Sequence, residues 1–316
     1  MAPLRRTAST GEAPTSAAAF GFGADRRPWV GRPTQGPREA AAWSRRQQLL
    51  TELRAVGGRS YPRIRGLFRE KSWLLFEILL PFLSTSAFVF VYRALAAPPE
   101  YVGFVVLGGA MTAFWLNVIW MMAAQLHWEK DQGNLELYFV APIDLMSILF
   151  GMAVGGLVMS ASRAAAVLVV ATTVYGVAFS VESWLLLGLV FVLTLTALYG
   201  LGMVLASLFL MWGREAWHLT QLLTEPIYFV SGLNFPVGRL GLIGALAIAT
   251  IPLAVGLDAM RQLAFRGAPS YGTPPPEVEA LILVAMTVIF LAAARLALRL
   301  LEGLARREGR LTVRWR

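Results

Sequence analysis

Cysteine is absent from this 316-residue chain, which excludes disulfides, thiol catalysis and cysteine-based zinc or iron–sulfur sites. Lysine is almost absent: only Lys71 and Lys130 occur, each preceded by a glutamate. A Walker-type phosphate loop needs Gly-Lys-Ser/Thr, so the chain carries none. The two histidines, His127 and His218, have no partner at metal-ligand spacing and read as interfacial side chains near span ends. No Ser/His/Asp arrangement or pair of carboxylates stands out as an active site, and the sequence points to neither an enzyme nor a metal protein. Charge itself is scarce, at 15% of residues, where a soluble domain carries roughly 25%.

What is abundant is apolar. Hydrophobic residues make up 57% of the chain and the mean hydropathy is positive. Most segments lack the polar face that a water-soluble helix or strand needs. Charges gather at the ends: residues 1 to 72 hold 14 of the 28 lysines and arginines against five acids. Residues 1–42, rich in Ala, Gly, Pro, Ser and Arg without apolar periodicity, read as a disordered basic tail. Arg5-Arg6 is followed by no apolar stretch of signal-peptide length. Residues 43–72 are amphipathic, with Leu49, Leu50, Leu53 and Val56 opposite Arg45, Arg46, Glu52 and Arg54, a break at Gly57-Gly58, then apolar residues mixed with Arg63, Arg65, Arg69 and Lys71. That pattern suits a helix in the headgroup layer whose arginine stems reach up to phosphates; a solvated linker is the alternative.

Against the roughly 20 apolar residues that cross a bilayer core, the sequence predicts an all-α integral membrane protein with six transmembrane helices, at about 73–96, 101–126, 145–177, 184–212, 217–235 and 278–301. Residues 302–316 form a basic tail. An uncharged run, Leu240 to Leu257, is marginal in length and holds Pro252. Both ends of the chain are cationic, so the positive-inside rule places both in the cytoplasm and requires an even number of crossings. The stretch 240–265 is therefore expected to dip into the membrane and return.

The largest internal loop, His127 to Asp144, is acidic: Glu129, Asp131, Glu136 and Asp144 face one lysine. An acidic loop at a basic membrane face invites a protein partner. The charges within predicted spans include Glu77, Arg163 and Glu225, and such charges usually mark function. Arg163 either lines a route for an anionic substrate or pairs with Glu77 or Glu225. Gly151 and Gly155 form a Gly-x-x-x-Gly that permits close helix approach.

The loop reads Trp128-Glu129-Lys130-Asp131-Gln132-Gly133-Asn134-Leu135-Glu136-Leu137-Tyr138-Phe139-Val140-Ala141-Pro142. It resembles the charged stretch, Gly-Thr-Leu-Glu and proline of the ABC-2-type transporter permeases, with Asn134 where threonine is usual but a helix-capping type of side chain is kept. A second stretch, Pro226-Ile227-Tyr228-Phe229-Val230-Ser231-Gly232-Leu233-Asn234-Phe235-Pro236, is similar to the family's Pro-x-x-Phe-x-Ser-Gly-x-x-Phe-Pro after the fifth span; its carried-over residues are Pro226, Ser231, Gly232, Phe235 and Pro236. The resemblance implies a permease subunit of an ATP-binding-cassette exporter in a bacterial plasma membrane, with no cofactor of its own and ATP and magnesium held by a partner. It implies two ATPase subunits and a homodimer or paralogous permease, surrounding lipid, and no nucleic acid. It also implies that Glu129, Asp131, Gly133, Asn134, Glu136, Leu137, Tyr138 and Pro142 form the ATPase-coupling loop, with acids toward basic partner residues and Leu135, Leu137, Tyr138 and Phe139 as apolar anchor. The rival classes are an ion-coupled transporter or channel using Glu77, Glu225 and Asp258, and a non-transporting scaffold.

Overall fold

A computed structural model describes residues 44–67, 71–141, 143–212, 215–265 and 271–308. The expectation of disorder over 1–42 falls outside the described residues. The described chain is helical, and its only extended pairing is an isolated bridge between Ser180 and Phe265. In order the elements are α1 (Arg45–Leu67), α2 (Lys71–Ala94), α3 (Pro99–Leu116), a π-helical turn (Asn117–Met122), α4 (Gln125–Asp131), α5 (Asn134–Val140), α6 (Leu145–Tyr175), α7 (Trp184–Trp212), α8 (Glu215–Val230), a 3-10 turn (Val237–Leu240), α9 (Leu242–Thr250), α10 (Pro252–Ala264) and α11 (Pro276–Glu308).

Local chemistry sets the ends of these helices. Pro99, Pro252 and Pro276 open α3, α10 and α11, positions where the missing N–H is no loss and φ is already helical. The Asp144 carboxylate accepts the Met146 N–H at 3.0 Å and starts α6. Gly176, at φ 68°, ends it in the left-handed conformation that suits glycine.

Among the described residues, four helices are long and apolar enough to cross a membrane: the continuous α3–α4 stretch Pro99–Asp131, Leu145–Tyr175, Trp184–Leu210 and Pro276–Leu301. The pair α9 and α10 bends by 105° at Ile251 and would make a fifth only if counted as one broken span. The apolar part of α2, Ile78–Ala94, and the 16-residue α8 are shorter than that measure. The bend agrees with a segment that enters and returns, because Pro252 cannot continue α9.

Three boundaries differ from the sequence reading. The helix α1 runs unbroken through Gly57-Gly58 and Pro62, since it leans on α6 rather than standing alone. The last helix continues past Leu301 to Glu308, so a helical extension replaces the first part of the predicted tail. The fifth predicted span stops as helix at Val230.

The core forms where α3, α6, α7, α10 and α11 meet, around Phe114, Trp115, Met152, Leu198, Met203, Leu257 and Leu283. Large apolar side chains also point outward, among them Leu185, Leu281, Val288 and Leu296. In water such a surface would be a liability; against lipid it is the expected face of a membrane bundle.

Candidate functional site

The loop 127–142 is two short helices joined at Gly133, whose φ of 78° demands a left-handed residue. It hangs directly from the second span, because α3, the π turn and α4 follow one another with only Ala123-Ala124 between the last two. Its other end enters α6 after Asp144. Any force on the loop therefore acts on two membrane helices at once.

Glu129, expected to face a partner, instead points inward and is only 3% exposed. Its carboxylate accepts hydrogen bonds from Gln125 Nε2 at 2.8 Å, Asn134 Nδ2 at 3.0 Å and Tyr138 OH at 2.9 Å, and forms an ion pair with Arg59 of α1. Four donors around one carboxylate satisfy a charge that would be expensive to bury alone. Asn134 is consequently no cap: Gly133 occupies the cap position, and the amide serves Glu129. Tyr138 is drawn into the same cluster, with Arg59 stacked 5.8 Å from its ring centre, and burial pushes its phenol pKa up while Arg59 pulls it down. Leu135 is buried in the core.

What remains on the surface is a smaller set than the sequence suggested. The Asp131 side chain is 63% exposed, with His127 Nε2 3.5 Å away as an ion pair only when the imidazole is protonated. Leu137 is 67% exposed. The side chains of Glu136 and Phe139, and Pro142 as a whole, lie outside the described residues.

The support from α1 is what sequence reasoning missed. Arg63 enters the bundle and donates to Met152 O of α6 at 3.1 Å, to Met121 O at 3.2 Å and to Gln125 Oε1 at 3.3 Å. Glu52, the single acid of α1, accepts the Asp144 N–H at 3.2 Å. The approach is close because Gly151 and Gly155 face α1: a Cβ on Gly151 would lie 2.8 Å from Arg59 Cβ, and one on Gly155 would lie 3.0 Å from Arg63 Cβ. The Gly-x-x-x-Gly thus receives the N-terminal helix. Arg59 and Arg63 turn to protein rather than to headgroups, while Leu49, Leu50 and Leu53 are exposed.

Of the charges predicted within spans, Arg163 is buried on α6, near enough to Arg63 and Tyr199 for its charge to act on both. Glu225 is exposed on α8, and the side chain of Glu77 on α2 lies outside the described residues.

At the opposite end of the bundle, the Ser231–Pro236 turn wraps a second arginine. Arg261 of α10 is 2% exposed and donates to four carbonyls: Gly232 at 2.7 Å, and Phe235, Leu233 and Phe104 each at 2.9 Å. Gly232 has φ 64°, which re-aims the chain so that these carbonyls converge. Gly108 of α3 lets Leu233 O approach without a side chain between them. Ser231 and Pro236 are buried here, Phe235 is half-buried and packs 5.3 Å from Phe229, and α8 continues through Pro226. Nearby, Gln262 Nε2 donates to Asp258 Oδ2 at 2.9 Å and approaches Glu279 Oε2 at 3.5 Å.

An all-helical bundle with an apolar outer surface, and with a helical loop slung between two of its long helices, defines a multi-pass membrane protein. The sequence pattern of the ABC-2 type transporter family matches residues 62–265, more than half of the chain, and the chain belongs to that family. It is thus an ABC transporter permease, of a family that works with an ABC ATPase. No curated protein matches the chain. The matched range covers both the loop and the Ser231–Pro236 turn, and begins inside α1 just before Arg63.

Proposed function

We propose that the chain is the membrane half of an ATP-driven exporter, in which the loop α4–Gly133–α5 docks on a separate ATPase and carries its motion to the second and third spans. The observation that carries this reading is the loop's construction. Its inner face is fastened by Glu129, Tyr138 and Leu135, while Asp131 and Leu137 are presented outward. A solvated turn has no need for a four-donor anchor; a lever does.

In this reading two permeases, identical or paralogous, pair over two ATPase subunits that bind ATP and magnesium. Six crossings in a bacterial plasma membrane place both termini in the cytoplasm, with α9–α10 re-entering from the outside. An amphipathic or lipid-linked substrate moves outward between the two permeases, past surfaces rich in aromatic and aliphatic side chains. Arg163 stands as either a contact for an anionic substrate or a packing charge.

The test is co-purification of the detergent-solubilised protein with its candidate ATPase. Asp131→Arg combined with Leu137→Asp should lower ATPase recovery at least tenfold at unchanged permease yield; equal recovery would defeat the docking assignment. A second reading, ion-coupled transport, is favoured by the buried Asp258 and Glu279, joined through Gln262. Transport that persists without ATP and stops when the ion gradient is collapsed would select it.

A further inference from the structure

The second span does not enter the loop as an ordinary α-helix. Asn117–Met122 wind as a π turn, and the Ala123 N–H reaches back five residues to Val118 O at 3.0 Å. Such a turn is a one-residue insertion in an α-helix, is rarely longer than this, and recurs where helices change shape. Apolar packing alone gives no reason for one here, since Val118, Ile119 and Met122 are fully buried already.

The polar groups supply the reason. The Met121 carbonyl is taken by Arg63 Nη2, which also donates to Gln125 Oε1, one turn further along the span, while Nη1 donates to Met152 O across on α6. Gln125 passes the connection on, its Nε2 donating to Glu129 Oε1 at 2.8 Å, and Glu129 returns it to Arg59, one turn before Arg63 on α1. The ring Arg63, Gln125, Glu129, Arg59 therefore closes on a single helix and encloses the junction of the π turn with α4. At its upper edge Asn117 Oδ1 accepts from Tyr199 OH at 3.2 Å, and Gly156 is the residue that makes room for Asn117.

Arg63 is held there under opposition. Burial lowers its pKa, with the charges of Arg59 and Arg163 acting in the same direction and Tyr199 against them. Glu129 is the carboxylate that faces this group among the described residues, and it is already engaged by Arg59. A guanidinium so placed is retained by its geometry across three acceptors rather than by a counter-charge of its own.

This inference deepens the reading in which the loop receives an ATPase's stroke, and rests on it. We propose that Arg63 is a positioning residue that holds Asn117–Met122 in the π winding, and that its withdrawal, when the loop is pushed, lets the turn rewind. One residue of register in an α-helix is about 1.5 Å along the axis and about 100° around it. The stroke of the loop thereby becomes a rotation of the second span relative to α4.

Hydrogen–deuterium exchange on the permease in nanodiscs, without any ATPase, tests the first half. Arg63→Gln is expected to speed exchange at residues 118–125 at least tenfold, with α7 and α10 unchanged; Arg63→Lys, which keeps the charge but not the fork, falls between. Arg54→Gln, on the exposed side of α1, behaves as wild type. Exchange in Arg63→Gln equal to wild type over 118–125, or raised throughout the bundle, overturns the proposal. In the complex with ATPase, a non-hydrolysable ATP analogue should change exchange at 118–125 at least threefold in wild type and leave Arg63→Gln unmoved; a wild-type complex that forms and shows no change there also overturns it. If no ATPase binds at all, the docking assignment fails instead, and the ATPase-free comparison still decides whether Arg63 holds the turn.

Discussion

Each end of the bundle is organised by an arginine that donates to backbone carbonyls, one fully buried, Arg261, and one partly buried, Arg63, and the two are set differently. Arg261 is enclosed by four carbonyls from a single turn and the adjoining α3. Arg63 spans three acceptors on three elements, the π turn, α4 and α6, next to two further arginines. The first arrangement fixes the shape of one end; the second ties together parts that can separate. In the proposed reading the first is a staple at the outer end and the second a clasp at the inner end that the loop's stroke releases.

The contrast breaks first at Arg261. Arg261→Met takes the guanidinium from four carbonyls, of which Gly232 O keeps only the Phe235 N–H at 3.3 Å, and the expected destabilisation is about 3–5 kcal/mol, seen as loss of folded protein or a large fall in Tm. Arg261→Lys should not rescue it, since a point ammonium with three donors cannot serve four converging carbonyls in the fork geometry. A lysine variant with wild-type Tm would show that the turn needs charge rather than shape.

Next in size is the clasp. Glu129→Gln removes the charge that Arg59 faces and should cost roughly 2–3 kcal/mol, with a coupling energy of about 1–3 kcal/mol to Arg59→Gln in a double-mutant cycle. Additive single variants would mean the two residues act separately. Gly155→Leu should wedge α1 from α6 at a cost of about 1–3 kcal/mol, and the loss should be accompanied by faster proteolysis of α1 alone. The smallest effect on stability belongs to Asp131→Arg, within about 0.5 kcal/mol because the side chain is exposed, and this variant should show the largest loss of ATPase association per unit of stability lost.

Much of this architecture was legible in the sequence. Spans in lipid need long apolar runs, and α3, α6, α7 and α11 supply them, so their existence followed from composition and length alone. The loop was found from its acids and its Gly133-Asn134-Leu135-Glu136 stretch. Its orientation was not legible. Glu129, Asp131 and Glu136 look equivalent as letters, and only the position of Arg59 on another helix separates the anchor Glu129 from the surface acid Asp131. In the same way Arg63 read as a headgroup ligand because amphipathic helices present arginines to phosphate. That Arg63 and its neighbour Arg59 turn to protein instead depends on two glycines nearly a hundred residues later, which were read as a packing motif without a partner. Arg261 followed an unremarkable apolar run, and nothing local indicates that Gly232 and Phe235 turn their carbonyls toward it. The signal that could have found it was charge scarcity itself: an arginine inside a stretch that must enter the membrane requires acceptors.

The central claim is that the outward face of the loop meets an ATPase while its inward face is held by α1. Because the native chain has no cysteine, one introduced at Leu137 reports on that face alone. In the complex with its ATPase, Leu137→Cys should cross-link to the ATPase through a short thiol-to-amine reagent and be shielded at least tenfold from a water-soluble thiol label. A Leu137→Cys that labels as fast in the complex as in the free permease, and cross-links to nothing, would contradict the claim.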